Sequence, residues 1–132
     1  MYKFILWTKF FCFFNLFSSL KPAYLARTVA NEINSKFLSV NCREFCSKSS
    51  GENEKYIRDI FQIVLAHAPI ILFIEELNYL FSKEDYHEYD KRSKVEFLIQ
   101  FDSINSSNIN NIFIIGSTNV PWDLMPAARR RY

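Results

Sequence analysis

The sequence IILFI at residues 70–74 limits the possible fold more than any other stretch of this chain. It is an unbroken run of branched and aromatic apolar residues, with no polar residue to face solvent. Such runs are typical of strands buried on both faces of a parallel sheet, because helices cover both faces there. A second run, IFII at 112–115, has the same character. The two runs therefore predict two buried strands of one sheet.

Helical periodicity occupies the stretches around these strands. Apolar residues recur at helical spacing in three segments, 23–34, 51–68 and 90–104. The residues expected to face the core are Leu25, Val29 and Ile33, then Ile57, Ile60, Phe61, Val64 and Leu65, and finally Val95, Leu98, Phe101 and Ile104. A further short strand is expected at 36–40, KFLSV. Alternating helices and strands predict the α/β class, with a parallel sheet flanked by helices.

The composition excludes several classes of protein. The chain has 132 residues, which suits one domain with a hydrophobic core. Its net charge of +2 gives no electrostatic argument for a nucleic-acid partner. There are 3 cysteines and no Cys-x-x-Cys pair, so neither a disulfide framework nor a zinc site is predicted. A reducing, cytoplasmic setting is favoured.

The first twenty residues differ from the rest. Residues 1–20 are rich in phenylalanine and carry lysine but no acidic residue. The apolar run at 10–17 resembles the centre of a signal peptide. It is shorter than the roughly 20 residues of a membrane span, however, and Asn15 interrupts it. We therefore expect a strand that stands in for the first core strand, or non-native sequence, ahead of a domain at 21–132.

Polar residues follow both buried runs. Glu75 and Glu76 come directly after the first, and the second continues into Ser117, Thr118 and Asn119. Because parallel strands end at the same edge of a sheet, these side chains should lie close together. One carboxylate can hold a hard cation through its water shell, and the other can polarise an attacking water. One interpretation of the pattern is a nucleoside-triphosphate hydrolysis site of the P-loop class. The alternative is a pair of solvated glutamates that cap a helix beginning near residue 77.

From Tyr24 to Tyr132 the sequence resembles the meiotic clade of AAA ATPases. That clade holds katanin, spastin, fidgetin and the vacuolar-sorting ATPase that disassembles ESCRT-III. The matching segments are YLARTVANEINSKFLSV, SKSSGENEKYIRDIFQIVLAHAPIILFIEEL, KVEFLIQFDSI and IIGSTNVPWDLMPAARRRY. The most specific feature is Asn-x-Pro-Trp followed by an arginine triplet. QFDSI and GSTNVPWDL resemble the vacuolar-sorting branch most, with katanin next.

The resemblance implies a fold and an activity. The fold would be a P-loop NTPase-type parallel sheet flanked by helices, an incomplete AAA core without the C-terminal helical lid. The activity would be hydrolysis of ATP with Mg²⁺ by a homo- or hetero-hexameric ring that remodels or disassembles a protein polymer. ESCRT-III at endosomal membranes is the first expected substrate, and tubulin in microtubules the second. Membrane association would be peripheral at most.

The resemblance also assigns roles to residues at the strand ends and in the arginine triplet. Glu75 would help to hold Mg²⁺ through water, and Glu76 would activate the attacking water. Asn119 occupies the sensor position. Arg130 and Arg131 occupy the arginine-finger positions, which act on the ATP of the neighbouring subunit.

The sequence departs from the family where the phosphates should bind. The glycine-rich Walker A loop should cover residues 16–23, which read LFSSLKPA and contain no glycine. Pro22 stands where the lysine belongs, and Ala23 stands where the magnesium-binding Ser or Thr belongs. Lys21, one position early, is the only remnant of the motif. Because a phosphate nest needs positive φ angles that glycine supplies, ATP should bind poorly.

The first pore loop, which grips a polypeptide in the family, also departs from the pattern. The resemblance places it at Lys48, Ser49, Ser50 and Gly51. Ser49 replaces the usual aromatic residue, so the main contact surface for substrate is lost. Glu75 replaces the usual aspartate and Asn78 the usual second acidic residue.

Two accounts of these departures compete. In one, the chain is a fragment of a working ATPase, and its opening segment is non-native. In the other, it is a catalytically dead paralogue that acts as a regulatory or interaction subunit.

Overall fold

The structure, a computed structural model, describes residues 2–7, 14–16, 22–46, 49, 51–81, 88–107 and 111–118. The strands are β1 (Tyr2–Trp7), β2 (Phe14–Leu16), β3 (Lys36–Asn41), β4 (Ile70–Glu75) and β5 (Ile112–Thr118). The helices are α1 (Pro22–Glu32), α2 (Cys42–Cys46), α3 (Glu52–Ala66), α4 (Asn78–Phe81) and α5 (Glu88–Ser106).

The strands form one five-stranded sheet in the order β2-β1-β5-β4-β3. Strands β3, β4 and β5 are parallel, which confirms the sequence prediction, and β4 lies between the other two. Strand β1 pairs antiparallel with β5, and β2 pairs antiparallel with β1. The Phe-rich opening segment thus contributes β1 beside β5 and β2 at the edge of the sheet. The domain boundary at residue 21 stays a prediction.

Strand β4 is buried on both faces, as its composition predicts. Residues Ile70 to Ile74 are all buried, and only Glu75 at its end is partly exposed. Alternate residues serve two cores, because successive side chains of a strand point to opposite faces. Leu72 packs in a large cluster with α2 to α5, while Phe73 packs in a smaller cluster beneath α1.

Helix α1 buries a different face from the one that the sequence pattern predicts. Its buried residues are Ala26 and Ala30, whereas Val29 is 43% exposed and Ile33 is 51% exposed. The expectation that Val29 and Ile33 face the core was wrong. Small side chains at spacing four let the helix lie close against the sheet, so the larger residues turn outward.

The faces of the other long helices are predicted more closely. Ile57, Ile60, Phe61 and Val64 of α3 are buried as expected, but Leu65 is 40% exposed. On α5 the expectation for Val95 was wrong, since it is 56% exposed, and Phe97 is buried instead. Leu98 is partly buried, and Phe101 and Ile104 are buried. Within the described residues, none of the helices is long and apolar enough to cross a membrane.

Candidate active site at the carboxyl edge of the sheet

The ends of the three parallel strands meet at one edge of the sheet, which we call the carboxyl edge. Asn41 at the end of β3 pairs with Glu75 at the end of β4. Ile74 pairs with Gly116, so Ser117 and Thr118 extend β5 alongside Glu75. The sequence prediction that these polar residues share one edge is therefore confirmed for the strands. Asn119, Arg130, Arg131, Lys21, Lys48 and Ser50 lie outside the described residues.

Glu75 lies on the α1 face of the sheet, half-buried, and β3 supports its carboxylate. Alternation along β4 places Glu75 on the same face as Phe73, which belongs to the cluster beneath α1. The Ser39 hydroxyl donates a hydrogen bond to Glu75 Oε1 at 3.2 Å. One carboxylate oxygen is thereby oriented by the neighbouring strand. A carboxylate oxygen is the type of ligand that Mg²⁺ prefers, either directly or through the water molecules bound to the ion.

Glu76 leaves the sheet plane through a left-handed backbone conformation. Its φ is 58°, which is uncommon for a residue other than glycine. Its carbonyl accepts a hydrogen bond from the Tyr79 amide at 2.9 Å, and this contact begins the turn into α4. Its Oε2 lies 2.8 Å from Arg43 Nε. Glu76 Oε2 is buried and has no hydrogen-bond partner among the described residues, so its contact with Arg43 is an ion pair without a hydrogen bond.

The contacts of the two glutamate side chains, within the part of the chain that the structure describes, differ from those expected of solvated helix caps; only the Glu76 carbonyl contacts the start of α4. Helix α4 begins at Asn78. The Glu75 carboxylate contacts Ser39, and the Glu76 carboxylate contacts Arg43. Both partners lie outside α4, on β3 and α2, and both glutamates are partly buried.

The turn after β4 is also fastened to β5. The Leu77 amide donates to the Ser117 carbonyl at 2.9 Å, and the Thr118 hydroxyl donates to Asn78 Oδ1 at 3.4 Å. A Cβ at Gly116 would collide with Leu77 Cδ1, so only glycine permits this approach. The end of β5 and the turn that carries Glu76 are therefore fixed relative to each other.

Sequence reasoning missed three residues of this edge. Gly116 could have been noticed, because a glycine inside an apolar strand often marks a close approach. Ser39 and Arg43 carry no such signal. Their contacts depend on the register between β3 and β4 and on the path of α2, which begins where Asn41 Oδ1 accepts the Arg43 amide at 2.9 Å.

The expected pore loop is described at two of its residues. Ser49 is exposed, and its carbonyl accepts a hydrogen bond from the Glu52 amide at 3.1 Å. Gly51 has a φ of 89° and donates its amide to Glu54 Oε2 at 2.8 Å. The loop therefore leads directly into the first turn of α3. Gly51 is required there because few L-residues adopt that φ.

The N-terminus of α1 lies at the other part of the carboxyl edge. Helix α1 ends near the start of β3 and packs along β3 and β4, so its N-terminus points toward the carboxyl edge. A helix N-terminus there suits an anion. However, Pro22 begins the helix and has no amide hydrogen, and residues 16–23 contain no glycine. The Glu75 carboxylate is of the ligand type that Mg²⁺ binds, whereas the first residue of α1 offers no amide hydrogen to a phosphate.

Comparison with known proteins agrees with this architecture. The family model described as ATPase family associated with various cellular activities (AAA) matches residues 23–132. The AAA domain of FIGL-1 in complex with ADP is similar in structure, with a TM-score of 0.73 and 34% identity. That match covers 83% of this chain and 36% of the FIGL-1 chain. The predicted P-loop NTPase-type fold is therefore confirmed.

Curated relatives come from several branches of one group. Spastin of Ixodes scapularis is 39% identical over 110 residues, which are 82% of this chain and 17% of that protein. Human vacuolar protein sorting-associated protein 4A is 38% identical over 113 residues, covering 83% of this chain and 26% of its own length. The meiotic spindle formation protein mei-1 of Caenorhabditis elegans is 38% identical over 112 residues, covering 82% and 24%. The chain spans about a quarter or less of these relatives, and it belongs to the AAA ATPase family.

Proposed function

We propose that this chain is an AAA subunit that takes part in remodelling a protein polymer and that carries the carboxylate half of an ATP-hydrolysis site. The observation that supports this most is the position of Glu75 at the end of β4, the middle one of the three parallel strands, and of Glu76 directly after it. Ser39 holds the first carboxylate and Arg43 contacts the second. Two carboxylates placed in this way can serve one metal ion and one attacking water.

The proposed roles of the residues follow their positions. Glu75 would bind water molecules of a magnesium ion, which would supply positive charge to the phosphates. Glu76 would accept a proton from the attacking water, and Asn119 would orient that water. Arg130 and Arg131 would act on the nucleotide of a neighbouring subunit in a hexameric ring of this chain or of this chain with a relative. Lys48, Ser49, Ser50 and Gly51 would face the substrate in the central pore.

ATP hydrolysis by this chain alone should be weak, because the segment at 16–23 contains no glycine and has Pro22 at the lysine position of the motif. A designed change can supply the missing half. We define the cradle variant by four substitutions: Leu16→Gly, Lys21→Gly, Pro22→Lys and Ala23→Ser. These place glycine, lysine and serine at the Walker A spacing, G-x-x-x-x-G-K-S. We expect the cradle variant to hydrolyse Mg-ATP clearly faster than the unchanged chain.

A further substitution separates the carboxylates' role from nucleotide binding. Glu76→Gln in the cradle variant should keep Mg-ATP binding and lower the hydrolysis rate by about 10²–10⁴, the usual contribution of a general base. Release of inorganic phosphate measures the rate. If the cradle variant binds Mg-ATP, and Glu76→Gln leaves its rate unchanged, then Glu76 is not the base and the proposed site is wrong.

We propose ESCRT-III filaments at endosomal membranes as the first substrate and microtubules as the second, with the chain in the cytoplasm and at most peripherally bound to membrane. Similarity to a vacuolar protein sorting protein supports the first, and similarity to spastin and mei-1 supports the second. Co-sedimentation of the chain with each polymer tests the choice. Binding to microtubules alone would reverse the order.

The alternative function is that of a catalytically dead paralogue, a regulatory or interaction subunit. Pro22, which gives α1 no amide hydrogen at its first residue, favours it. Mixing this chain with an active vacuolar protein sorting-associated protein 4A should alter that protein's ATPase. The Arg130→Ala, Arg131→Ala double variant should depress it further. The lack of any effect at every mixing ratio would count against a shared ring.

A further inference from the structure

Arg43 joins the candidate catalytic glutamate to α4 at the carboxyl edge. Its Nε lies 2.8 Å from Glu76 Oε2. Its guanidinium carbon lies 4.7 Å from the centre of the Tyr79 ring, a distance at which a cation is attracted to an aromatic face. The Arg43 backbone is itself fixed, because its amide donates to Asn41 Oδ1 at 2.9 Å. One side chain of α2 therefore contacts both Glu76 and Tyr79, a residue in the first turn of α4.

Arg43, Tyr79 and Glu76 each contact the other two. The Tyr79 amide donates to the Glu76 carbonyl, so the aromatic residue behind Arg43 is tied to the backbone of Glu76 itself. The Glu76 side chain is 29% exposed, and its Oε2 is buried. The Arg43 side chain is 61% exposed, so solvent screens the arginine end of the pair, whereas the buried Oε2 end is screened less. The pair can therefore restrict the rotamer of Glu76.

The two oxygens of the Glu76 carboxylate differ in their surroundings. Oε2 is buried and lies 2.8 Å from Arg43 Nε, so the guanidinium lies beside this oxygen of the carboxylate. An oxygen engaged by a guanidinium is less able to accept a hydrogen bond from water. Oε1 is thus the oxygen on which a water molecule can be held.

We propose that Arg43 is a positioning residue: supported by the Tyr79 ring, it engages Oε2 of Glu76 and so fixes Oε1 as the oxygen that receives the water proton. The inference rests on the proposed function of Glu76. It adds a residue from α2 to the site, and no motif in the sequence indicates that residue.

The first test uses the chain as it is and needs no nucleotide. NMR scalar couplings report the χ1 and χ2 rotamers of Glu76. One rotamer is expected in the unchanged chain and rotamer averaging in Arg43→Ala. Tyr79→Phe keeps the aromatic ring and should keep the single rotamer, whereas Tyr79→Ala should show averaging. If Arg43→Ala leaves the Glu76 couplings unchanged in a folded chain, the proposal is overturned.

The second test measures steady-state kinetics in the cradle variant. Arg43→Ala should lower kcat at least tenfold and change KM for ATP less than twofold, because Glu76 positions water and does not bind nucleotide. Arg43→Lys should recover part of kcat, since it keeps the charge but loses the planar stacking. Arg58→Ala is the matched control, because it removes an arginine–glutamate pair of 3.1 Å between α3 and α5, away from this edge. It should leave both constants unchanged.

The outcomes separate the inference from the proposed function. If the cradle variant fails to bind Mg-ATP, the proposed function fails, and the rotamer measurement alone decides the role of Arg43. If it hydrolyses ATP and Arg43→Ala lowers kcat no more than Arg58→Ala does, then the Arg43 contact is structural only and the proposal is overturned.

Discussion

The two halves of the carboxyl edge differ in how completely they are built. In the half formed by β3, β4 and β5, hydrogen bonds or ion pairs join every strand end to its neighbour. Ser39 contacts Glu75, Arg43 contacts Glu76, and Leu77 contacts Ser117. In the other half, α1 begins with a proline and follows a segment without glycine. There β1 pairs with β5 in the antiparallel sense.

This difference shows that a sheet is easier to complete than a phosphate site. Any extended strand can satisfy the backbone donors and acceptors of β5, in either direction. A phosphate nest instead requires successive amide groups at particular φ angles, which few residues other than glycine adopt. A chain can therefore keep the fold and two glutamates at the end of β4 while the segment before α1 contains no glycine.

The largest expected loss of stability comes from the core beneath the half formed by β3, β4 and β5. Phe97 is fully buried and packs edge-on against two other rings. Its ring centre lies 5.3 Å from that of Phe61 and 5.4 Å from that of Phe81 on α4. Phe97→Ala should lower the free energy of unfolding by about 3–5 kcal/mol. The matched change on the α1 side is Phe37→Ala, because Phe37 is partly buried and stacks on Phe73 at 6.1 Å. Phe37→Ala should lower the free energy of unfolding by clearly less than Phe97→Ala does.

Urea unfolding followed by circular dichroism measures both changes. If Phe97→Ala and Phe37→Ala lowered the free energy of unfolding equally, this would contradict the view that the larger cluster, with α2 to α5, supports the half formed by β3, β4 and β5.

The next effect is at the contact between β5 and the turn after β4. Gly116→Ala would place a methyl group against Leu77, so we expect a loss of about 1–3 kcal/mol from overpacking. Leu77→Ala should relieve the collision. The double variant should then be less destabilised than the sum of the two single variants. Additive losses in urea unfolding would show that Leu77 does not enforce glycine at this position.

The smallest effect concerns the link between α2 and α3. Burial raises the pKa of Tyr56 above its ordinary value of 10.0, and its hydrogen bond to Glu44 and the nearby negative charge of Glu44 add to the rise. The folded state therefore favours the neutral phenol. The contribution of neutral Tyr56 to the stability of the folded state is complete below pH 10 and is lost as pH rises through the folded-state pKa.

Tyr56→Phe removes the 2.8 Å hydrogen bond to Glu44 and should cost below about 1 kcal/mol at neutral pH. Above pH 10 the difference between the two chains should shrink, because Tyr56 begins to ionise. Unfolding measured at pH values on both sides of 10 checks this. A difference that grows with pH would contradict the assigned sign.

The sequence allowed the built half to be predicted better than the other. The apolar runs before Glu75 and Ser117 locate two strands, and parallel pairing then brings their ends together. The position of α1 could not be predicted from apolar spacing, because close packing selects Ala26 and Ala30 and leaves Val29 exposed. The antiparallel direction of β1 could not be predicted either, since no local pattern encodes strand direction. Arg43 joins the site only through the path of α2 after Asn41.

The most direct test of the account is isothermal titration of Mg-ATP into the unchanged chain and into the cradle variant. We expect no measurable binding to the unchanged chain and at least a tenfold gain in affinity for the cradle variant, because the carboxylate half is already in place. Glu75→Ala in the cradle variant should then reduce the dependence of binding on Mg²⁺. Tight binding of Mg-ATP by the unchanged chain, or no gain in the cradle variant, would contradict the claim that one half of this edge is built and the other is missing.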